Sequence, residues 1–298
     1  MNHFQRNREI AINLQLLERL VQDREKVKLE VDSERFHELI HISDFYFNYF
    51  PASRFILNFP QTFQMMQRET AAAFSHLLPQ TKIISKFDEE YPSSLIQDLR
   101  EDAPLFIYAC GNLALLRRKA IKITIVGSRS ANEKEIVQSK VLASRLAQEG
   151  YTIVSGFDNP LDTSVQMALH TIERPGIVIL NQPLLKSFIT DTLQKSVKRN
   201  LFVHPNLLIS ALPPIQAPLL KTDIERTNKI LASLSKVSIV MSAKEGGHAM
   251  DEATFCVKLH KPVILPDYIR LSIPFLESKY ILSVKTMEEL LLLVKQFT

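Results

Sequence analysis

Tryptophan is absent from the 298 residues, and glycine occurs only seven times. That is far below the average usage of about 7%. Loops that wrap phosphates usually rely on glycine, because only then do backbone N–H groups approach closely. The G-x-G-x-x-G fingerprint of dinucleotide sites is missing. The two cysteines, Cys110 and Cys256, are far apart and have neither CxxC nor Cys/His spacing. A disulfide framework and a zinc site are therefore not expected, and reduced thiols in a cytoplasm are. The longest aliphatic run, residues 290–294, is far too short to span a bilayer, and the first residues, MNHFQRNREI, have no apolar signal core. A cytoplasmic protein without a membrane segment or cofactor is the expectation.

What is present is ordinary globular chemistry, 46% hydrophobic and 23% charged. Net charge is +4, from 36 Lys+Arg against 32 Asp+Glu. Basic residues concentrate between 181 and 230, where Lys186, Lys195, Lys198, Arg199, Lys221, Arg226 and Lys229 stand against Asp191, Asp223 and Glu225. On charge alone this is either a solvated face or a surface for a polyanion.

Residues 1–78 carry apolar side chains at helical spacing in INLQLLERLVQ, ERFHELIHISDFYFNYF and FQMMQRETAAAFSHLL, with no strand pattern. A small helical domain is expected there, ending at Pro79. Its aromatic cluster Phe45, Tyr46, Phe47, Tyr49 and Phe50 reads as core. From about 105 the pattern alternates. LFIYAC, ITIVG, TIVSG, IVIL, LLISAL, VSIVMSA and PVILP are continuous apolar runs, the later ones separated by helical stretches, and MEELLLLVKQF closes the chain as a helix. Such runs suit strands covered on both faces. The fold class is α/β, a doubly wound and mostly parallel sheet over 79–298, with ligands expected at the carboxyl ends of its strands.

The first central strand ends in Gly127-Ser128-Arg129. Ser130 with Glu133 has capping-box spacing, so a helix is expected from near Ala131, with Gly150 just past its end. Free N–H groups at a helix start favour an anion, and a guanidinium beside them suits phosphate. A turn glycine with a surface arginine is the plainer alternative. Asp158 and Asp162 are four apart, which fits an N-cap role for one of them. Asp88, Glu89 and Glu90 read as a solvated turn, and His248 as a loop histidine without a second ligand.

FDEEYPSSLIQDLREDAPLFIYACGNLALL, then Val126-Gly127-Ser128-Arg129, Val154-Ser155-Gly156, Asp162-Thr163 and Asn228-Lys229-Ile230-Leu231-Ala232, resemble in order and spacing the DNA-processing protein A family, also called DprA or Smf, from about 85 to 266. The resemblance implies a Rossmann-like domain preceded by a small helical domain of the SAM or helix-hairpin kind. It implies a cytoplasmic, non-enzymatic homodimer, paired through the Rossmann-like domain. Such a protein binds and protects single-stranded DNA and loads the RecA recombinase during natural transformation. Carried over by likeness, the DNA-contacting residues are Gly127, Ser128, Arg129, Ser155, Gly156, Asn228 and Lys229, with Arg226, Lys195, Lys198 and Arg199 added as basic contacts. Only tyrosine and phenylalanine remain to stack on bases.

The sequence departs from the family pattern in several places. The Arg-Asn-Arg signature stands here as Thr227-Asn228-Lys229, with Arg226 one place away. Leu-Ala-Arg-Gly-Ile-Asp has become Phe157-Asp158-Asn159-Pro160-Leu161-Asp162, and an expected histidine is Gln166. Gly246, Gly247 and Glu252 resemble the glycine pair and glutamate of nucleotide phosphoribohydrolases, without the Gly-Thr between them. A nucleoside-monophosphate hydrolase, or a scaffold that has lost DNA binding, is therefore the alternative expectation.

Overall fold

A computed structural model describes residues 2–21, 27, 31, 34–50, 55–117, 119–187, 206–215, 221–244, 246–269 and 278–298. The amino-terminal part is helical: α1 (His3–Val21), α2 (Ile42–Tyr49), α3 (Phe55–Asn58) and α4 (Pro60–Ser75). It is followed by β1 (Lys82–Ser85), α5 (Ser93–Leu99), β2 (Phe106–Gly111), β3 (Lys122–Val126), α6 (Glu133–Gln148), β4 (Thr152–Ser155), α7 (Pro160–Thr171) and β5 (Ile177–Leu180). Then come β6 (Leu207–Ser210), α8 (Lys221–Leu234), β7 (Val237–Val240), α9 (His248–Lys258), β8 (Val263–Pro266), β9 (Ile281–Val284) and α10 (Met287–Phe297).

The strands form one sheet in the order β1-β2-β6-β5-β4-β3-β7-β8-β9. β1 and β2 join antiparallel at one edge, and the strands from β6 to β9 run parallel. The doubly wound, mostly parallel sheet is thus as the sequence predicts. Every residue of β3, β4, β5 and β7 is buried, because helices cover both faces. Ile123, Ile125, Ile153, Val237 and Ile239 pack with α6, α7 and α10, while Val126, Val154, Ile177, Ile179 and Val240 face α5, α8 and α9. Val178 alternates with Ile177 and Ile179, so the cluster it shares with α1, α2 and α4 lies on the α6–α7 side.

The amino-terminal helices complete that cluster. Ile10, Leu17, Phe36, Phe45, Tyr46 and Phe74 meet Ile83, Phe106, Tyr108 and Leu208 of the sheet. Each such side chain contributes about 1.5–3 kcal/mol by leaving water. In the aromatic cluster Phe45, Tyr46 and Phe50 are core as expected, but Phe47 is exposed.

Other differences are local. β1 and β9 were not expected. KIIS is too short to show a period, and ILSV is a half-exposed edge strand. The capping box of α6 is Asn132 with Glu135, not Ser130 with Glu133, because Ser130 is occupied by the Ser128 hydroxyl at 2.9 Å. Asn159, not an aspartate, caps α7 and accepts from the Asp162 N–H at 2.9 Å. Asp88 is no solvated bystander. Its carboxylate accepts from the Ser85 N–H at 2.8 Å and from the Asn7 amide, joining β1 to α1. Among the described residues no helix is long and apolar enough to cross a membrane.

Candidate nucleic-acid interface

From β3 the chain winds outward through β4 and β5 to β6, then returns along α8 to β7 on the other side of β3. Strand order reverses between β3 and β7, so a crevice opens at their carboxyl ends. The loops that enter it are 127–132 after β3, 156–159 after β4 and 241–247 after β7.

Gly127 is tight in this position. A Cβ there would lie 2.4 Å from Leu161 Cδ1 in the core. Its carbonyl accepts from Asn159 Nδ2 at 3.2 Å, which ties the β3 and β4 loops together. Ser128 turns back on its own loop, receiving the Ser130 N–H at 3.2 Å, and its carbonyl accepts the Ala131 N–H at 3.1 Å. Arg129 is exposed at the mouth. Ser155 points inward: it is fully buried, donates to the Gly156 carbonyl at 2.9 Å and accepts from Gln166 Nε2 at 2.9 Å. The glutamine that replaces the expected histidine is thus a structural partner of Ser155. Gly156 lets Asp162 approach, since a Cβ would stand 2.5 Å from Asp162 Oδ2.

Three carboxyl groups lie beneath and beside these loops, and their surroundings disfavour charge. Burial pushes Asp162 up to about 8, helped by the neighbouring Asp158 carboxylate and opposed by hydrogen bonds from Asn159 and the Gly127 backbone. Among the described residues its Oδ1 has no hydrogen-bond partner. Burial pushes Glu252 up to about 7, against the Ser238 and Cys256 hydrogen bonds and the Lys261 charge. Glu252 is completely enclosed, with Ser238 Oγ 2.9 Å from both carboxylate oxygens and Cys256 Sγ donating at 3.3 Å. Asp158 opens to solvent at the crevice mouth yet is flanked by protein atoms. Partial loss of water to those atoms raises it to about 6, while Arg129 and His248 draw it down.

The other basic residues singled out in the sequence are placed elsewhere. Arg226 lies 3.5 Å from Asp223 on α8 and lines a cavity of about 620 Å³ between α1 and the ends of β5 and β6. Lys229 Nζ meets Asp102 at 2.9 Å and lies over the Phe255 ring. Asn228 is buried, and among the described residues its Nδ2 has no partner. Thr227 is buried as well, and its hydroxyl donates to the Asp223 carbonyl at 3.1 Å. Lys195, Lys198 and Arg199 lie outside the described residues. Gly127, Ser128, Arg129, Ser155 and Gly156 therefore gather at adjacent strand ends, while Arg226 and Lys229 face other partners along α8. Sequence reading missed the Ser238–Glu252 pair. No spacing signals it, because the two meet only when α9 packs across β7. Among the described residues no group of three or more His, Cys, Asp or Glu side chains is placed to hold a metal ion.

Fold and crevice together define an open, doubly wound Rossmann-like protein with an arginine-bearing turn at the point where strand order reverses. The chain belongs to the DNA recombination-mediator protein A family, whose sequence profile matches residues 82–273. It is similar in structure to DNA processing protein A from Helicobacter pylori, with 22% identity over 75% of this chain and 99% of that one and a TM-score of 0.60. It is also similar to DNA processing protein A from Streptococcus pneumoniae, with 19% identity over 97% and 95% of the two chains and a TM-score of 0.64. The H. pylori protein binds single-stranded DNA. The comparison with curated proteins found no match.

Proposed function

We propose that this protein binds single-stranded DNA through its backbone, protects it, and loads the RecA recombinase onto it during uptake of transforming DNA. It acts in the cytoplasm as a homodimer without catalysing a reaction. The observation that carries the reading is the exposed Arg129 on the turn that ends β3, within a chain whose residues 82–273 match a recombination-mediator family. A guanidinium at a strand end, beside the amino-terminus of α6, suits a phosphate whatever the base attached to it.

The enclosure of Glu252 weighs against hydrolysis of a nucleotide. A carboxylate that steadies charge at a ribose must reach it, and this one is sealed against Ser238 and Cys256. Competition between single-stranded and duplex oligonucleotides tests the DNA reading, and RecA filament assembly with and without the protein tests the loading step. Preference for the single strand and faster assembly are expected. Stabilisation by nucleoside monophosphates without DNA binding would favour the hydrolase instead.

A further inference from the structure

Asn159 stands where the family pattern Leu-Ala-Arg-Gly-Ile-Asp has its arginine, and Pro160 where it has the following glycine. That exchange supplies a helix cap followed by proline at the first helical position. A residue before proline is held extended, as Asn159 is at φ −139° and ψ 164°. Its Oδ1 accepts the Asp162 N–H at 2.9 Å, which turns the amide nitrogen toward the Gly127 carbonyl at 3.2 Å. The Asp162 carboxyl closes the group, hydrogen-bonded by the Asn159 side chain and the Gly127 N–H. Both polar backbone groups of Gly127 are therefore held by the start of α7.

The turn that follows, which carries Arg129, bonds mainly to itself. The Ser128 and Ser130 hydroxyls are 2.9 Å apart, the Ser130 N–H reaches Ser128 Oγ at 3.2 Å, and the Ala131 N–H reaches the Ser128 carbonyl at 3.1 Å. Among the described residues no hydrogen bond from outside the turn reaches Ser128, Arg129 or Ser130. The turn is thus fixed at its entry by the hold on Gly127 and at its exit by the Asn132–Glu135 cap of α6. We propose that Asn159 is a positioning residue for DNA binding: by holding the Gly127 carbonyl it fixes the turn that presents Arg129 to the phosphate. The inference rests on the DNA-binding reading above. A cap alone does not require asparagine, because serine and aspartate cap helices about as well. What asparagine adds is the donating end of its amide, and here that end is spent on the loop of a neighbouring strand. A turn held in place before binding gives up less freedom when the phosphate arrives, so affinity rises without a further contact to DNA.

The test is fluorescence anisotropy of the full chain with a labelled thymidine oligonucleotide. The proteins are wild type, Asn159→Ser, Arg129→Ala and the double variant. Serine keeps the cap and removes the amide donor, and Asn159→Thr is the second variant should the serine fail to fold in thermal melts. Asn159→Ser is expected to bind roughly three- to tenfold more weakly than wild type. Added to Arg129→Ala, the same change is expected to shift affinity by less than about twofold, because the clamp acts through that arginine. A merely structural role would cost as much in either background. Equal losses in the two backgrounds, or wild-type affinity for Asn159→Ser while Arg129→Ala loses affinity, would overturn the proposal and leave the DNA reading standing. Wild-type affinity for Arg129→Ala would overturn the assignment of the turn, and this proposal with it. Absence of DNA binding by wild type would overturn the DNA reading itself together with the proposal.

Discussion

Asn159 Nδ2 donates to the Gly127 carbonyl at 3.2 Å, while Asn159 Oδ1 caps the helix that carries Leu161 and Asp162. One side chain therefore holds the β3 turn, the β4 loop and the start of α7 together. The crevice depends on this clamp and on the lack of a side chain at Gly127. Gly127→Ala would bring a methyl within 2.4 Å of Leu161 Cδ1, and Leu161 is fully buried, so its side chain must repack within the core. A loss of about 1–3 kcal/mol is expected from such overpacking, measured as a shift in the urea midpoint.

The start of α6 offers a clean comparison. Asn132 forms the reciprocal capping pair with Glu135, while Ser130 bonds to Ser128. Asn132→Ala should cost about 1 kcal/mol, and Ser130→Ala should fall within the ±0.5 kcal/mol of an ordinary surface change. The reverse ranking in thermal melts would show that the helix starts at the earlier serine.

Glu252 predicts a pH dependence of stability. Its carboxyl holds a proton up to about 7 in the folded chain against 4.5 for a free glutamate. Between those values the folded state binds more protons than the unfolded state, so stability falls as pH rises through that window. Glu252→Gln keeps a hydrogen-bonding side chain of the same shape and cannot ionise. It should be more stable than wild type at about pH 8 and show a flatter profile between pH 5 and 8, read from denaturation midpoints.

Lys261 ties the sheet to its surroundings through three bonds, at 2.7 Å to Asp98 and at 2.9 and 3.0 Å to the carbonyls of Ala232 and Ser233. Both charged groups are mostly buried. Lys261→Met keeps the aliphatic stem and strands Asp98 with the two carbonyls. A loss of about 2–3 kcal/mol is expected, because removing one partner leaves the other desolvated and unpaired. Restoration by the double change Lys261→Met with Asp98→Leu would assign the cost to the stranded charge.

The central strands were legible because ITIVG, TIVSG, IVIL and VSIV are apolar on both faces, a pattern that only a covered parallel strand needs. β1 was not legible, since four residues cannot establish a period and its partner β2 is more than twenty residues away. The choice of cap at α6 was ambiguous in principle. Both S-x-x-E and N-x-x-E occur within three residues, and only the Ser128–Ser130 contact decides between them. At the site, Gly127 and Arg129 were readable from their place after a strand. The buried state of Asp162 was not, because it follows from the missing side chain of Gly156 across a loop. Nor could spacing show that Arg226 and Lys229 have acidic companions, one of them distant in sequence.

The central claim is that Arg129 at the end of β3 meets a DNA phosphate. Its most direct test is anisotropy of wild type and Arg129→Ala with a labelled single-stranded oligonucleotide across a salt series. The account predicts salt-steep binding by wild type. For Arg129→Ala it predicts an affinity roughly tenfold weaker and a log–log slope shallower by about 0.7, the loss of one phosphate contact. Equal affinity and equal slope for the two proteins would contradict it.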